Sequence, residues 1–331
     1  MNNKFLISID SGKSYTKGVI RNEDGILEKV LFRTKVAEVS GDIDVEMLSK
    51  SESYTVEYDS KRYLIGDLLS EERANYDFTK QTNEHLICIY LAITKLLEKS
   101  KQSHALAKID LAVNIPLSLY KNETKKKEFG SFINNNGKVV GIAVNGKPYS
   151  FSLNSVLLLP EAMGPIYHSM DKYRNKRVVI IDIGSLNTSI LEYNKLVPQF
   201  DRMVVNTMGI NIFRSTLAET LSSHYGITIS DDDAEQILRD KCLYLNGAEQ
   251  KDSPKIIQNV ITDYVKSIFN YAKSRKITMT NMEIILCGGG SILLKQYLLN
   301  EVPSATIISD AQFANVLSFH QVLEAKINGK S

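Results

Sequence analysis

Three cysteines in 331 residues, Cys88, Cys242 and Cys287, stand far apart with no Cys-x-x-Cys pair. That scarcity argues against a disulfide framework or a cysteine-built zinc site, and leaves reduced, buried thiols as the expectation. No apolar run approaches a membrane span, and the stretch between Met1-Asn2-Asn3-Lys4 and Asp10 is too short for a signal peptide. A cytoplasmic protein without membrane attachment is therefore expected. Charge of one sign is missing as well: 40 Lys plus Arg against 38 Asp plus Glu leave a formal +2, so nothing global draws the chain to nucleic acid or anionic lipid. The run Lys125-Lys126-Lys127 reads as a solvated face. The histidines His85, His104, His168, His224 and His320 form no i,i+4 pair, and none is assigned a catalytic part. What remains is 43% hydrophobic and 24% charged residues, the make-up of a soluble protein large enough for two cores; disorder, collagen and coiled coil are excluded.

Apolar patterning gives an α/β order. Residues 4–9 (KFLISI) predict a buried strand and 16–20 its hairpin partner, across a turn holding Gly12. A hairpin over 53–65 turns at Asp59-Ser60, a helix over 82–100 starts behind the cap Thr82, a strand over 109–115 stops before Pro116, and a hairpin over 138–153 turns at Asn145-Gly146. The second half begins again with strands at 177–182 and 188–193, helices at 209–224, 231–245 and 256–275, a strand at 282–287, the glycines 288–290, a helical pattern over 292–299 and a last helix near 311–326. Ile9-Asp10-Ser11-Gly12-Lys13-Ser14-Tyr15-Thr16 and Ile181-Asp182-Ile183-Gly184-Ser185-Leu186-Asn187-Thr188 share Ile-Asp-x-Gly-x-x-x-Thr, each after an apolar strand, so an internal duplication is expected. Two related α/β domains with no flexible tether imply a ligand in the cleft between them.

A strand-end aspartate before a glycine turn can do two jobs: backbone N–H groups embrace phosphate oxygens, and the carboxylate holds a hydrated Mg²⁺ nearby. One Asp-x-Gly is an ordinary turn; two matched copies point to phosphate held from both sides. Gly12-Lys13-Ser14 is not a P-loop, because Ile7 occupies the position of the required first glycine and a strand rather than a helix follows. Gly288-Gly289-Gly290, between a strand and a helical pattern, offers bare backbone where a flat base could approach. Ser230-Asp231-Asp232-Asp233 reads as a helix-capping arrangement rather than a metal cluster.

The paired hairpins and the later glycine run, in this order and spacing, resemble the two phosphate motifs and the adenosine motif of the actin/Hsp70/sugar-kinase ATPase superfamily over nearly the whole chain. Within it the sequence is most similar to the ParM type of bacterial actin-like ATPases, with Asp10-x-Gly12 leading to Lys17, and with Tyr63-Leu64-Ile65-Gly66-Asp67 and Pro116-Leu117-Ser118-Leu119-Tyr120 as looser likenesses. The resemblance implies two actin-like (ribonuclease H-like) domains, 1–158 plus about 306–331, and 159–305. It implies an ATP hydrolase using Mg²⁺ and ATP, in which Asp10 and Asp182 hold the metal through water. Gly12, Ser14, Gly184 and Ser185 would hug phosphate and Lys17 would reach it. Glu161, in Leu159-Pro160-Glu161-Ala162, would position or activate the attacking water; its plainer part is a first-turn helix glutamate after Pro160. Gly288, Gly289 and Gly290 would take the adenine and ribose side, with Arg239 and Asp240 on the other lobe as base or ribose contacts or as simple surface charges. Where the family often shows small residues and glycine after Ser309-Asp310, Asn315-Val316-Leu317-Ser318 stands, so the second connecting helix is expected to pack differently.

By the same resemblance the protein polymerises with ATP into filaments for plasmid DNA segregation. Its partners would be copies of itself and a small centromere-binding adaptor protein, with plasmid DNA held only indirectly. A small-molecule kinase of the superfamily is the first alternative, although the cysteine-rich zinc loop of its compact sugar-kinase members is absent. An actin-like assembly or division protein is the second, with Ala325–Ser331 too short and polar for a membrane helix.

Overall fold

In the computed structural model, which describes residues 4–41, 48, 50–71 and 80–329, the first strand β1 (Lys4–Ser11) is covered on both faces. This is why Phe5, Leu6 and Ile7 are apolar in succession rather than alternating, with the buried Ser8 standing between them and Ile9. Phe5, Ile7 and Ile9 join one cluster with Ile87, Leu91 and Leu96 of helix α1 (Asn83–Lys99). On the opposite face Leu6 meets a second cluster built by Val316, Phe319 and Leu323 of the closing helix Ala314–Asn328. Thr82 caps α1 by accepting the His85 N–H at 3.3 Å, and every residue from His85 to Thr94 is buried, so the helix is covered all round rather than along one stripe. Met1–Asn3 and Lys330–Ser331, on which the expectations for the two ends partly rest, lie outside the described residues.

The chain divides into two units, Met1–His168 with Phe313–Ser331, and Ser169–Gln312. The described strands of unit 1 form one sheet. Its strands are β1, β2 (Tyr15–Arg21), β3 (Leu27–Arg33), β4 (Val36–Glu38), β5 (Ser53–Tyr58), β6 (Lys61–Gly66), β7 (Ala107–Ile115), β8 (Val140–Val144) and β9 (Lys147–Pro160), in the order β3-β2-β1-β7-β9-β8-β5-β6-β4. The β5–β6 turn places Asp59 and Ser60 at φ 50° and 60°, and the β8–β9 turn places Asn145 and Gly146 at 49° and 76°. Both match the left-handed pair that a two-residue hairpin demands.

The boundary after His168 falls later than the 158/159 expected from sequence. β9 stays in the sheet to Pro160, Met163 joins the cluster of the closing helix, and that helix binds the following backbone. Asn315 Oδ1 accepts the Gly164 N–H at 2.8 Å, while Ser318 Oγ donates to the Gly164 carbonyl at 2.6 Å and accepts from the His168 N–H at 3.2 Å. Asn315 and Ser318 thus have a definite task in the segment whose sequence departs from the family pattern: they satisfy buried backbone groups that would otherwise cost about 1–3 kcal/mol each.

Unit 2 repeats the arrangement. Strand β10 (Arg177–Ile183) runs antiparallel to β11 (Thr188–Asn194) and parallel to β16 (Glu283–Cys287), as β1 does to β2 and β7. Asp10 pairs with Lys17 and Ser11 with Thr16; Asp182 pairs with Ser189 and Ile183 with Thr188. The duplicated sequence is therefore duplicated register. β12 (Val197–Pro198), β13 (Val204–Asn206) and β17 (Thr306–Ile307) complete the sheet. Helices α3 (Ile210–Tyr225), α4 (Asp231–Asp240) and α5 (Ser253–Ser274) bury Phe213, Leu217, Ile237, Ile261 and Phe269 against Val179, Ile181 and Ile183.

Two expected helices are shorter than predicted. The one over 231–245 ends at Asp240, where Lys241 turns left-handed at φ 56°, and Asn246-Gly247 then makes a small hairpin of β14 (Tyr244–Leu245) and β15 (Ala248–Glu249). The Asn-Gly pair carried that signal. The pattern over 292–299 breaks at Leu294 into α6 (Gly289–Leu293) and α7 (Lys295–Glu301). A further helix of unit 1, α2 (Glu123–Ile133), contains the three consecutive lysines.

Unit 1 carries a titratable group whose effect can be measured. His320 of the closing helix shares a hydrogen bond with Ser8 Oγ at 3.2 Å and lies 3.4 Å from Glu324. Burial pushes its pKa down to about 4 despite the attraction of Glu324. A histidine depressed in the folded state stabilises fully above its unfolded value near 6.5, and that stability is lost as pH falls, because the unfolded chain takes the proton first. Thermal unfolding of unit 1 is expected to weaken between about pH 6.5 and 4 by something of order 3 kcal/mol, and His320→Asn is expected to flatten that slope. An equal slope in the variant would place the acid sensitivity elsewhere.

Candidate functional site

The turn after β1 is closed by its glycine. The Gly12 N–H donates to the Tyr15 carbonyl at 3.0 Å, and a Cβ on Gly12 would stand 2.8 Å from that oxygen. Ser14 is left at the tip with no protein partner for its amide or hydroxyl among the described residues, as a group meant for an external acceptor would be. Behind the tip, Lys17 Nζ donates to Asp10 Oδ2 at 3.2 Å, with both side chains largely buried. Lys17, expected to reach phosphate, here holds the aspartate directly opposite it in the ladder.

The Ser11 peptide is held on both sides. Its N–H donates to Asn114 Oδ1 at 2.9 Å. Its carbonyl receives Lys80 Nζ at 2.8 Å, Asn114 Nδ2 at 3.2 Å and His85 Nε2 at 3.3 Å. Burial, and then the charges of Lys80 and Lys13, keep His85 well below the usual histidine range. It is neutral, and since its neighbour is a carbonyl, Nε2 carries the proton. Glu161 sits at the same place: Lys80 Nζ donates to its Oε1 at 2.6 Å and Asn114 Nδ2 reaches it at 3.4 Å. No helix starts at Glu161; it occupies a bend after β9, followed by Ala162 at φ 62°. The first-turn helix role is therefore not the one it plays.

Unit 2 builds its hairpin alike. The Gly184 N–H donates to the Asn187 carbonyl at 2.9 Å, leaving Ser185 and Leu186 at the tip. The carbonyls of Gly184 and Ser185 accept the Ile210 and Asn211 N–H groups at 3.0 and 2.9 Å, so the first turn of α3 is spent on fixing the loop. Gly209 permits this approach, since a Cβ there would lie 2.2 Å from the Ser185 oxygen.

The three consecutive glycines do different things. Gly288 adopts φ +82°, and a Cβ would fall 2.3 Å from Asp182 Oδ1 and 2.5 Å from the Ile183 carbonyl. Gly290 is buried, where a Cβ would strike Ile183 and Ile210 at 2.3 and 2.9 Å; its glycine serves packing rather than ligand approach. Of the three, Gly289 alone is exposed, and a Cβ on it would meet nothing within 4 Å. Gly288→Ala is expected to destabilise unit 2 by about 2 kcal/mol or more, read as a lowered unfolding midpoint. Gly289→Ala should leave that midpoint within about 1 °C, a helix-compatible exposed site.

Arg239 and Asp240 are engaged along α4 itself, Arg239 with Glu235 at 3.4 Å and Asp240 with Gln236 at 2.8 Å, and Arg239 is largely exposed. The buried arginine of this region is Arg214, bound to Glu235 at 2.8 Å and to Asn211 at 2.6 Å. Ser230 and Asp233 form the expected capping box. Among the described residues no three His, Cys, Asp or Glu side chains gather as a metal cage. Each of the two turns has one carboxylate beside it, Asp10 in unit 1 and Asp182 in unit 2. Lys80, Asn114 and His85 were not found from sequence; the polar Asn114 at the end of the apolar strand IDLAVNI was the one available signal, since a buried amide needs partners.

The family model described as "Actin like proteins N terminal domain" matches residues 8–164. An archaeal actin homologue superposes with a TM-score of 0.79 at 17% identity, over 97% of this chain and 99% of that one, and that homologue has also been solved with ADP. The Alp12 filament protein is 25% identical with a TM-score of 0.71, over 98% of this chain and 99% of its own. A subunit of the 15-stranded ParM filament from Clostridium botulinum gives 0.77 at 17% identity, over 98% and 99% of the two chains. No curated protein matches the sequence. Among the described residues no helix is long and apolar enough to cross a membrane.

Proposed function

From a first half that belongs to the actin-like proteins and a whole chain folded as the ParM-type actins are, we propose an ATPase that polymerises with nucleotide and segregates plasmid DNA. The observation that carries this is the pair of hairpins. Each places an aspartate one residue before the end of its strand, closes its turn through a glycine amide, and leaves a serine at the tip. The likeness to filament subunits and to an ADP-binding homologue supports it.

Unit 1 would hold phosphate oxygens with the Ser14 amide and hydroxyl, unit 2 with those of Ser185, and Lys17 would leave Asp10 for phosphate as the metal arrives. Mg²⁺, held through water by Asp10 and Asp182, would neutralise charge on the phosphate oxygens. The transfer needs positioning and charge stabilisation more than covalent chemistry. Glu161 stands next to the Ser11 carbonyl at the mouth of the unit 1 turn, suited to orient a water. Gly289 would receive the base or ribose. The centromere-binding adaptor and the indirect hold on plasmid DNA belong to the same proposal.

Right-angle light scattering after adding ATP, GTP or ADP with Mg²⁺, with phosphate release followed in parallel, tests it. Scattering should rise above a threshold protein concentration with ATP and fall as ATP is exhausted. Absence of polymer by sedimentation and electron microscopy with a non-hydrolysable ATP analogue would overturn assembly while leaving the nucleotide groups in place. A soluble particle whose turnover rises sharply with one hydroxylated compound would indicate a kinase.

A further inference from the structure

Lys80 belongs to no motif, yet it is buried and spans two parts of the candidate site. We propose that Lys80 is the positioning residue for Glu161, fixing its carboxylate at a set distance from the phosphate-type turn; this rests on the ATPase proposal above. Three observations lead there. Lys80 Nζ donates at once to Glu161 Oε1 at 2.6 Å and to the Ser11 carbonyl at 2.8 Å. Ser11 immediately precedes Gly12, so the ammonium ties the end of β1 to the bend after β9. The lysine is 8% exposed, and a buried ammonium is kept only where its acceptors are in place.

The surroundings leave the pair little freedom. Asn114 bonds the same carbonyl and lies 3.4 Å from the same carboxylate oxygen. His85, held neutral, occupies the third donor position on Ser11, so it adds no competing positive charge. The second oxygen of Glu161 has no protein partner among the described residues, which leaves it for a water. In this geometry Glu161 orients a water through an oxygen fixed by the bond from Lys80 to its neighbour.

Steady-state and single-turnover phosphate release by the full chain would be compared for wild type, Lys80→Met, Lys80→Arg, Glu161→Gln and the double variant Lys80→Met/Glu161→Gln, with ATP affinity by calorimetry and unfolding midpoints alongside. Lys80→Met is expected to lower kcat at least about tenfold while KM and the affinity for ATP change less than about threefold. Lys80→Arg should recover part of the rate. The double variant should be no slower than Glu161→Gln alone, since both act on one water. Multiplicative effects in the double variant, or wild-type kcat in Lys80→Met, would overturn the proposal. If Lys80→Met lowers rate, affinity and midpoint together and Lys80→Arg restores none of the rate, the lysine is merely structural and the proposal fails. Failure of the ATPase proposal itself has a different sign: wild type would then bind no nucleotide and release no phosphate.

Discussion

Asp182→Ala is expected to weaken Mg-ATP binding at least about tenfold, roughly 1.4 kcal/mol, with the fold of unit 2 intact. Asp182 is the penultimate residue of β10 and its carboxylate lies against Gly288, where even a methyl group would stand 2.3 Å from Oδ1. Removing the carboxylate takes away half of the charge pair proposed for the hydrated cation. It creates no core cavity, because the side chain is only half-buried. Calorimetry with ATP and Mg²⁺, and with ATP and a chelator, separates the effects: the variant should lose most of the Mg²⁺-dependent part and little of the rest. Wild-type affinity would remove Asp182 from the site.

Glu161→Gln should release phosphate at least about tenfold more slowly, a barrier change of roughly 1.4 kcal/mol, while still binding ATP and assembling. Glutamine is preferred to alanine because it keeps an oxygen for Lys80, whose ammonium would otherwise lose a partner 2.6 Å away and be left buried at considerable cost. Orientation of a water matters in the transition state more than in ground-state binding, so turnover and assembly should separate. Filaments of Glu161→Gln should accordingly outlast those of wild type after a fixed pulse of ATP, by sedimentation. Unchanged turnover would reduce Glu161 to a structural partner of Lys80.

Local signals in the sequence were strong wherever one stretch of chain decides its own conformation. The turns at Asp59-Ser60 and Asn145-Gly146, the Thr82 cap and the Ser230–Asp233 box rest on residues within four positions of each other, and the structure forms each as expected. Where a second signal lay inside a periodic pattern, the expectation overran: the helix stops at Asp240, where Lys241 turns left-handed, and Asn246-Gly247 then turns a hairpin where apolar spacing alone would continue the helix. Arg239 and Asp240 show the converse, charged residues whose position on a helix face could not be ranked until their partners on α4 were known.

By itself the sequence determined the duplication. Ile-Asp-x-Gly-x-x-x-Thr after two apolar strands required two like hairpins, because strand period and glycine turn are local properties, and the matched registers of β1–β2 and β10–β11 follow. Tertiary structure alone decided what surrounds them. Lys80 and His85, Asn114, and Glu161 come together around the Ser11 peptide from three separate stretches of chain. The glycines 288–290, identical as letters, split into a strained turn, an open position and a packing contact according to what each faces. No spacing rule encodes either result. Both depend on which distant segments the sheet brings side by side, and a buried polar group chooses its partners only after that packing is set.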